Sequence, residues 1–245
     1  MSATMRAAVV TRFGEHLDLR DVPVPVPKHG QVLVRVRACG VCHTDLHTVH
    51  GDWPDKPTLP RIPGHEAVGE VVEIGKGVDE VRLGDRVGVP WLHRACGRCD
   101  DCLSGWETLC AKQVRSGYDV DGGFAEYVVA DAAFVAHIPD GLGYEQAAPL
   151  MCAGLTVYKG LSVADLIAGD WVVISGVGGL GHLAVQYARA MGYRVVAVDV
   201  DDAKLTLAAR LGAHMTINVR QTDPVGYLQR RIGGAHGALV TAVSP

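Results

Sequence analysis

A glycine-rich turn between an apolar run and an amphipathic segment constrains the fold of this chain more than any other feature. The run at residues 171–175 (WVVIS) has the length and apolar character of a buried strand. The turn that follows matches the pattern G-x-G-x-x-G and consists of Gly176, Val177, Gly178, Gly179, Leu180 and Gly181. Apolar residues then recur at helical spacing until Gly192, which is suited to end a helix. A strand, a glycine turn and a helix in this order predict a dinucleotide-binding α/β unit.

The glycines have separate physical roles in such a unit. Gly176 permits the tight turn, Gly178 lets the backbone approach a pyrophosphate, and Gly181 allows the helix to pack closely on the sheet. The N-terminus of the helix adds positive potential. Asp199 ends the next predicted strand about 20 residues later, where a carboxylate holds the ribose hydroxyls and repels a 2′-phosphate. We therefore expect NAD rather than NADP.

Strands and helices continue to alternate after this turn. Further strands are predicted at residues 194–199, 214–219 and 237–243, and further helices at residues 202–211 and 224–231. This alternation predicts a parallel, doubly wound sheet with right-handed crossovers. A complete sheet of this kind has six strands, and only four are predicted here. The chain therefore reads as carrying an incomplete Rossmann domain.

The first half of the chain has a different pattern. Short β-rich runs at residues 32–36, 68–74, 86–89 and 124–129 alternate with glycine and proline. They predict an antiparallel, partly open barrel with long loops, and these loops carry nearly all the cysteines and histidines. The fold class is therefore mixed, with a β-rich domain over residues 1–153 and a partial nucleotide-binding domain over residues 154–245.

Composition limits the possible partners and the compartment. Hydrophobic residues make up 48% and charged residues 20% of 245 residues, and the net charge is -4, which gives no reason to expect nucleic acid or a membrane. The N-terminus has no apolar core of the length that a secretory signal needs. Seven cysteines, an odd number, indicate reduced thiols and a cytoplasmic setting.

Four of the cysteines form a closely spaced cluster, C-x2-C-x2-C-x7-C. The cluster consists of Cys96, Cys99, Cys102 and Cys110. Four thiolates suit the tetrahedral preference of zinc, and a closed sulfur shell leaves no position for substrate, so we expect a structural zinc site. An iron–sulfur cluster remains the rival interpretation, and four unrelated thiols a weaker one.

Three other residues, Cys42, His65 and Cys152, are far apart in sequence. Two cysteines and one histidine form a known catalytic zinc shell whose fourth position stays open. The spacing alone is a weak signal, because a buried cysteine is usually a small apolar residue.

The residues around these positions resemble the medium-chain zinc-dependent alcohol dehydrogenases, most closely the microbial branch that acts on ethanol and similar small alcohols. The resemblance is carried by the four-cysteine loop and by CGVCHTDLH, GHEAVGEVVEIG, PLMCAGLTVYKGL and SGVGGLGHLAVQYARAMGYRVVAVD. It implies a GroES-like domain, two zinc ions per chain, one catalytic and one structural, and NAD. It also implies that Cys42, His65 and Cys152 ligate the catalytic zinc, with Glu66 beside them as a supporting group or exchangeable ligand.

The resemblance assigns roles to four residues of the CHTDLH segment. Asp45 would accept the second ring N–H of His65, as metal-bound histidines generally require, although a carboxylate at a helix N-terminus is the alternative. Thr44 would receive the alcohol proton, and His47 would pass it to solvent while hydride moves to NAD. His43 would contact the pyrophosphate. A surface histidine is the alternative for both His43 and His47.

Further positions are implied more weakly. Trp53 and Trp91 would wall a narrow pocket for small primary alcohols, with simple core packing as the alternative for each. Thr156 would face the nicotinamide, and Lys204 would lie near the ribose unless it is only a solvated helix charge. Cys39 is expected to be buried and inert.

The family's chains continue beyond the position of Pro245, through two more strands and a segment that returns to the first domain. The sequence is therefore expected to be a fragment of a longer protein or a truncated product, with a homodimer or homotetramer in the complete enzyme. Two other functions stay open: a non-catalytic fragment that binds zinc and nucleotide, and a zinc-free reductase of the same superfamily, which the three ligand residues disfavour.

Overall fold

The computed structural model describes residues 3–242 of the chain. The chain divides into two compact units, Met1–Cys152 and Ala153–Pro245. Val243, the predicted end of the fourth strand of the Rossmann domain, lies outside the described residues. Within those residues, no helix is both long enough and apolar enough to span a bilayer.

The first unit is built from antiparallel strands. Its strands are β1 Thr4–Val9, β2 Asp18–Pro23, β3 Gln31–Cys39, β4 Ala67–Ile74, β5 Arg86–Val89, β6 Leu92–Arg94, β7 Val114–Arg115, β8 Tyr127–Asp131 and β9 Ala136–His137. Five of them form one sheet in the order β8-β3-β4-β5-β9, and β1-β2 and β6-β7 form separate pairs. Valines of β3, β4 and β5 pack together in its core because β-branched side chains fit a pleated surface.

Short helices interrupt these strands. They are α1 His43–His50, α2 Asp100–Leu103 and α3 Tyr144–Ala147, with 3-10 turns at Glu107–Leu109, Ala132–Phe134 and Ala148–Met151. Helix α1 ends at Gly51, whose φ of 66° is left-handed and whose N–H donates to the carbonyl of His47. A Cβ at Gly51 would also meet the ring of Phe13 at 2.7 Å. Only glycine therefore reverses the chain here without strain.

The second unit contains a four-stranded parallel sheet with helices between the strands. Its elements are α4 Ala153–Ser162, β10 Trp171–Ser175, α5 Gly181–Ala190, β11 Arg194–Asp199, α6 Asp202–Arg210, β12 Met215–Asn218, α7 Pro224–Ile232 and β13 Gly237–Val240. The strand order is β12-β11-β10-β13, which is the order at the centre of a doubly wound sheet. Ile174, Val195 and Ala197 are fully buried against Ala184 and Ala188 of α5.

Several predicted elements coincide with the observed ones. Strands β10 and β11 have the predicted bounds, whereas the predicted strand at 214–219 is shorter by one residue at each end. No sequence pattern predicted β1, β2, β6, β7, β9 or α4. The run predicted at 124–129 begins later, at Tyr127, because residues before it are used in single bridges and loop contacts with Ala7, Ala8 and Pro63.

Candidate metal centre and active site

Three separate segments of the first unit bring four possible metal ligands together. Cys42 precedes α1, His65 and Glu66 precede β4, and Cys152 follows the 3-10 turn Ala148–Met151. One ligand atom from each of these residues lies within 4.8 Å of the others. The two sulfur atoms, Cys42 Sγ and Cys152 Sγ, are 4.0 Å apart. Ligands at zinc–sulfur distance in a tetrahedron are about 3.8 Å apart, so a single ion fits this set.

The imidazole of His65 is the strongest evidence for a metal ion at this cluster. Its exposed fraction is 2%, and its Nδ1 lies 3.0 Å from Oδ1 of Asp45. Its other nitrogen, Nε2, is buried and has no hydrogen-bond partner among the described residues. A buried polar atom without a partner is costly, and a metal ion satisfies it. Two sulfurs, this nitrogen and a carboxylate are a donor set that zinc accepts.

The protonation of the cluster also suits a cation. Contacts with the Cys152 thiol and the His65 ring lower the pKa of Cys42 to about 3, so that thiol is deprotonated at neutral pH. Burial raises the pKa of Glu66 to about 7. Thiolates are the form that binds metal, and a bound cation takes the place of the remaining protons.

Asp45 connects three parts of the metal centre. Its carboxylate accepts the N–H of Cys42 at 2.9 Å and that of Gly64 at 3.1 Å, in addition to its contact with His65. Its exposed fraction is 3%. Asp45 therefore holds the backbone of one ligand and the ring of another.

Glu66 has space because residue 40 is glycine. A Cβ at Gly40 would lie 1.9 Å from Oε2 of Glu66. Any residue larger than glycine at position 40 would occupy the space that the Glu66 carboxylate takes. In that space the carboxylate lies beside the sulfur atoms of Cys42 and Cys152. No sequence pattern pointed to this role of Gly40.

Aromatic rings surround the next part of the site. Trp91 meets the ring of His65 edge-on at 5.2 Å, and Trp53 meets Trp91 edge-on at 6.1 Å. Tyr118 lies 5.2 Å from Trp53 and 5.9 Å from Trp91 and has an exposed fraction of only 1%. The two tryptophans singled out by the sequence analysis are therefore neighbours beside the metal centre, with Tyr118 as a third ring. No motif in the sequence pointed to Tyr118.

Helix α1 presents the residues considered for proton transfer. Thr44 lies beside Cys42, to whose sulfur its backbone and its hydroxyl both donate. His47, one turn further on, is partly exposed, and its Nδ1 lies 2.9 Å from Oδ2 of Asp52. The His47 ring also lies 5.5 Å from that of Trp53. His43 begins the helix and is exposed to solvent.

The four-cysteine loop forms a second, separate cluster. The ligand atoms of Cys96, Cys99, Cys102 and Cys110 lie within 4.8 Å of one another, and Cys99 Sγ and Cys102 Sγ are 3.5 Å apart. Four sulfurs that converge on one point suit a single tetrahedral ion, whereas the cysteines of an iron–sulfur cluster bind different irons and must stand further apart. This geometry favours zinc and leaves no open side for a substrate.

The nucleotide-binding candidates other than His43 lie in the second unit. A Cβ at Gly181 would lie 1.8 Å from the carbonyl oxygen of Gly176, whereas a Cβ at Gly178 or Gly179 would meet nothing within 4 Å. Leu180 precedes the first residue of α5. Gly181 therefore serves packing, and the bare backbone at Gly178 and Gly179 is open to a ligand.

Asp199 stands at the end of β11 and organises the turn around it. Its carboxylate accepts the N–H groups of Val177 at 2.6 Å, Val200 at 2.7 Å and Asp201 at 3.0 Å. Burial opposes ionisation, but these hydrogen bonds and the charge of Lys204 lower the pKa of Asp199. Lys204 is exposed on α6, and Thr156 is exposed on α4.

The comparisons with known proteins agree with this geometry. The family description "Alcohol dehydrogenase GroES-like domain" matches residues 28–140, and "Zinc-binding dehydrogenase" matches residues 179–245. An alcohol dehydrogenase of Moraxella sp. (strain TAE123) is 59% identical over 240 residues, a match that covers 98% of this chain and 71% of that protein.

Two solved structures show the same architecture. The alcohol dehydrogenase of the hyperthermophilic archaeon Aeropyrum pernix superposes with a TM-score of 0.84 at 37% identity, covering 98% of this chain and 72% of that one. The acetophenone reductase of Geotrichum candidum in complex with NAD superposes with a TM-score of 0.79 at 35% identity, covering 89% and 64%.

Fold and site together define a two-domain zinc-type dehydrogenase, a GroES-like domain followed by a Rossmann-type domain. The chain belongs to the medium-chain family of NAD-dependent zinc alcohol dehydrogenases.

Proposed function

We propose that the protein interconverts small primary alcohols and aldehydes with NAD, using Cys42, His65 and Cys152 as the ligands of a catalytic zinc and Glu66 as the neighbouring carboxylate. The observation that carries this proposal is the buried Nε2 of His65, which has no hydrogen-bond partner in the described part of the chain and lies beside two sulfur atoms and a carboxylate. Zinc held there supplies a Lewis acid that lowers the pKa of the alcohol hydroxyl.

Thr44 and His47 are proposed to carry the alcohol proton away. A threonine hydroxyl both accepts and donates a hydrogen bond, and Thr44 adjoins the ligand Cys42. His47 lies one helical turn further on, where its ring is partly exposed to solvent. Its contact with Asp52 occupies Nδ1, so Nε2 is left for the relay. His43, exposed at the start of α1, is proposed to contact the pyrophosphate of the cofactor.

Substrate size is proposed to be set by Trp53 and Trp91. Trp91 lies against the ring of the proposed ligand His65, and the edge-on contact with Trp53 limits the space next to it. Large rigid rings so near the metal favour short primary alcohols over branched or long ones.

The second unit is proposed to bind NAD, which supplies the hydride acceptor. Gly176, Gly178, Gly179, Leu180 and Gly181 form the proposed pyrophosphate turn, Asp199 holds the ribose hydroxyls with Lys204 nearby, and Thr156 faces the nicotinamide. Asp199 already carries a stable negative charge, which opposes a 2′-phosphate.

Zinc content, assembly and compartment complete the proposal. We propose a second, structural zinc at Cys96, Cys99, Cys102 and Cys110, which makes two zinc ions per chain. The full-length enzyme is proposed to be a homodimer or homotetramer. A cytoplasmic setting is supported by seven cysteines that are all free thiols.

A steady-state assay with ethanol and NAD, combined with zinc counting, tests the proposal. We expect NADH formation, two zinc ions per chain, and a variant His65→Ala that loses one zinc and at least about 100-fold in kcat, since metal catalysis is worth several kcal/mol. Two zinc ions without turnover would instead support a non-catalytic zinc- and nucleotide-binding protein. Absence of tightly bound metal would support a zinc-free reductase.

A further inference from the structure

The loop between α1 and β4 carries part of the proposed pocket. This loop, residues 52–59, begins directly after the left-handed Gly51 and contains Asp52, which contacts His47, and Trp53, which contacts Trp91. Most of its residues are exposed, and none of them belongs to a helix or strand. Because the loop has no helix or strand of its own, the position of Trp53 depends on contacts between loop side chains and the rest of the first unit.

Asp55 connects the loop to β7 and to the turn that follows β7. Its carboxylate Oδ2 lies 2.7 Å from Nη2 of Arg115. Its backbone carbonyl accepts a hydrogen bond from the hydroxyl of Tyr118. At Asp55 the loop is thus held by one charged side-chain contact and one backbone contact, only two residues from Trp53.

Arg115 is well placed to act as a fixed anchor. Its Nε and Nη2 each lie 2.7 Å from an oxygen of Asp119, a bidentate arrangement, and its guanidinium group lies 4.5 Å above the ring of Tyr118. The hydrogen bonds to Asp119 raise the pKa of Arg115, which keeps it charged. Its side chain is 21% exposed, while that of Asp55 is 76% exposed. A largely buried, multiply hydrogen-bonded cation therefore holds a solvent-exposed anion.

The same tyrosine links this anchor to the pocket. The ring of Tyr118 lies under Arg115 on one side and contacts Trp53 and Trp91 as well. Tyr118 therefore contacts both the anchor Arg115 and Trp53 of the loop, and its third neighbour, Trp91, lies against the ring of His65. The hydrogen bonds of Arg115 go to Asp55 and Asp119, and neither of these is a proposed metal ligand.

We propose that Arg115 and Asp55 form a clasp that holds the 52–59 loop over the alcohol pocket and thereby determines the chain length of the alcohols that the enzyme prefers. This inference rests on the proposed function. Arg115 and Asp55 are positioning residues, since they act through Trp53. Opening the clasp enlarges the pocket, which weakens the fit of ethanol and relieves the exclusion of longer alcohols.

The test uses the full-length, zinc-loaded enzyme with ethanol and 1-hexanol. Asp55→Ala removes the carboxylate from an exposed position and keeps the carbonyl that Tyr118 binds. We expect the ratio of kcat/KM for ethanol to that for 1-hexanol to fall by up to about fivefold, the range of a partly exposed ion pair, and to fall through KM. Asp55→Glu, which keeps the charge, restores the ratio. Asp18→Ala, which breaks the exposed pair of Asp18 and Arg20 on β2, leaves it unchanged.

A second measurement reports on the loop without turnover. Hydrogen exchange of the amides in residues 52–59, recorded without alcohol, is expected to be faster in Asp55→Ala and unchanged in Asp18→Ala. An unchanged ethanol-to-hexanol ratio in Asp55→Ala overturns the proposal, whether or not exchange accelerates. If the wild-type enzyme oxidises neither alcohol, the proposed function fails. In that case, unchanged hydrogen exchange of residues 52–59 in Asp55→Ala would separately overturn the clasp.

Discussion

At the scale of single residues, Asp45 illustrates how one buried group supports several ligands. Its carboxylate accepts hydrogen bonds from the backbone of Cys42 and Gly64 and faces Nδ1 of His65. The first contact orients the start of α1, and the last fixes which ring nitrogen of His65 is left for the metal. A loss of charge at Asp45 is therefore felt by two ligands together.

Replacing Asp45 by asparagine is expected to weaken zinc binding at the Cys42, His65 and Cys152 site by about 10- to 100-fold, the effect typical of groups that orient metal-bound histidines. Competition with a chromophoric chelator measures the affinity. Asp223→Asn, a change at the N-cap of α7 in the second unit, serves as the matched control. Equal zinc affinity in Asp45→Asn and the control would show that Asp45 does not support the metal centre.

At the scale of elements, the junction of β10 and α5 separates two uses of glycine. Gly181 has no space for a Cβ because the carbonyl of Gly176 lies against it, whereas the space around Gly178 is open. The first glycine allows the helix to approach the strand, and the second leaves backbone free for a phosphate. The two positions therefore respond differently to the same added methyl group.

Gly181→Ala is expected to destabilise the protein by about 1–3 kcal/mol, the usual cost of forcing extra atoms into packed structure. Gly178→Ala is expected to leave the free energy of unfolding nearly unchanged and to weaken NAD binding. Urea denaturation and calorimetric titration with NAD distinguish the two effects. Equal stability of both variants would contradict the packing role of Gly181.

A cluster of charges joins β3 and β4 in the first unit. Glu70 on β4 lies 2.6 Å from Arg35 and 3.0 Å from Arg37, both on β3, and it also accepts the hydroxyl of Tyr144. Hydrogen bonds from Arg37 and Arg35 lower the pKa of Glu70 from 4.5 to about 2. The ionised carboxylate thus contributes fully to stability at pH values above 4.5, where the same group is also ionised in the unfolded chain.

Glu70→Gln is expected to lower the free energy of unfolding by up to about 1 kcal/mol at pH 7, the upper range for ion pairs with solvent access. Because folding lowers the pKa, this contribution is complete above pH 4.5 and is lost as the pH falls towards 2. Urea denaturation of both proteins across this range measures the difference. Glu73→Gln, at an exposed position of the same strand, is the control. A difference that grows as the pH falls would refute the assignment.

At the scale of the whole molecule, the two ligand clusters predict two classes of zinc site, one structural and one catalytic. The ligand atoms of the cysteine loop are four sulfurs, while the Cys42, His65 and Cys152 set has three ligands besides the carboxylate of Glu66 and lies beside the ring of Trp91. The four-cysteine site is suited to stabilise its loop, and the Cys42, His65 and Cys152 site is suited to catalysis.

Dipicolinate, a zinc chelator, is therefore expected to remove one zinc first and to lower turnover by at least about 100-fold while the fold persists. Removing the second zinc should require denaturant or a thiol-modifying reagent and should lower the melting temperature. Zinc release measured with a metal dye, activity and circular dichroism follow the process together. Full turnover after loss of the first zinc would contradict the assignment of the two sites.

Local patterns determined much of this protein without any help from tertiary structure. The strand at residues 171–175 and the glycine turn after it can be predicted from a few neighbouring residues, because the apolar run and the glycine spacing are local patterns. The bounds of β10 and β11 were therefore predicted as observed, and the close spacing of Cys96, Cys99, Cys102 and Cys110 indicated a shared ion directly. Two- and three-residue strands such as β7 and β6 carry no such signal, since they exist only through their pairing.

Only tertiary structure decided which distant residues meet. Neither spacing nor composition distinguished Cys152 from an ordinary buried cysteine, and only the family resemblance singled it out. The fold brings its sulfur atom to 4.0 Å from that of Cys42, across most of the first unit. Tyr118, Gly40 and the Arg115–Asp55 contact had no sequence signature at all. Such contacts depend on long-range packing, in which the neighbours of a side chain are set by the path of the whole chain and not by the residues beside it in sequence.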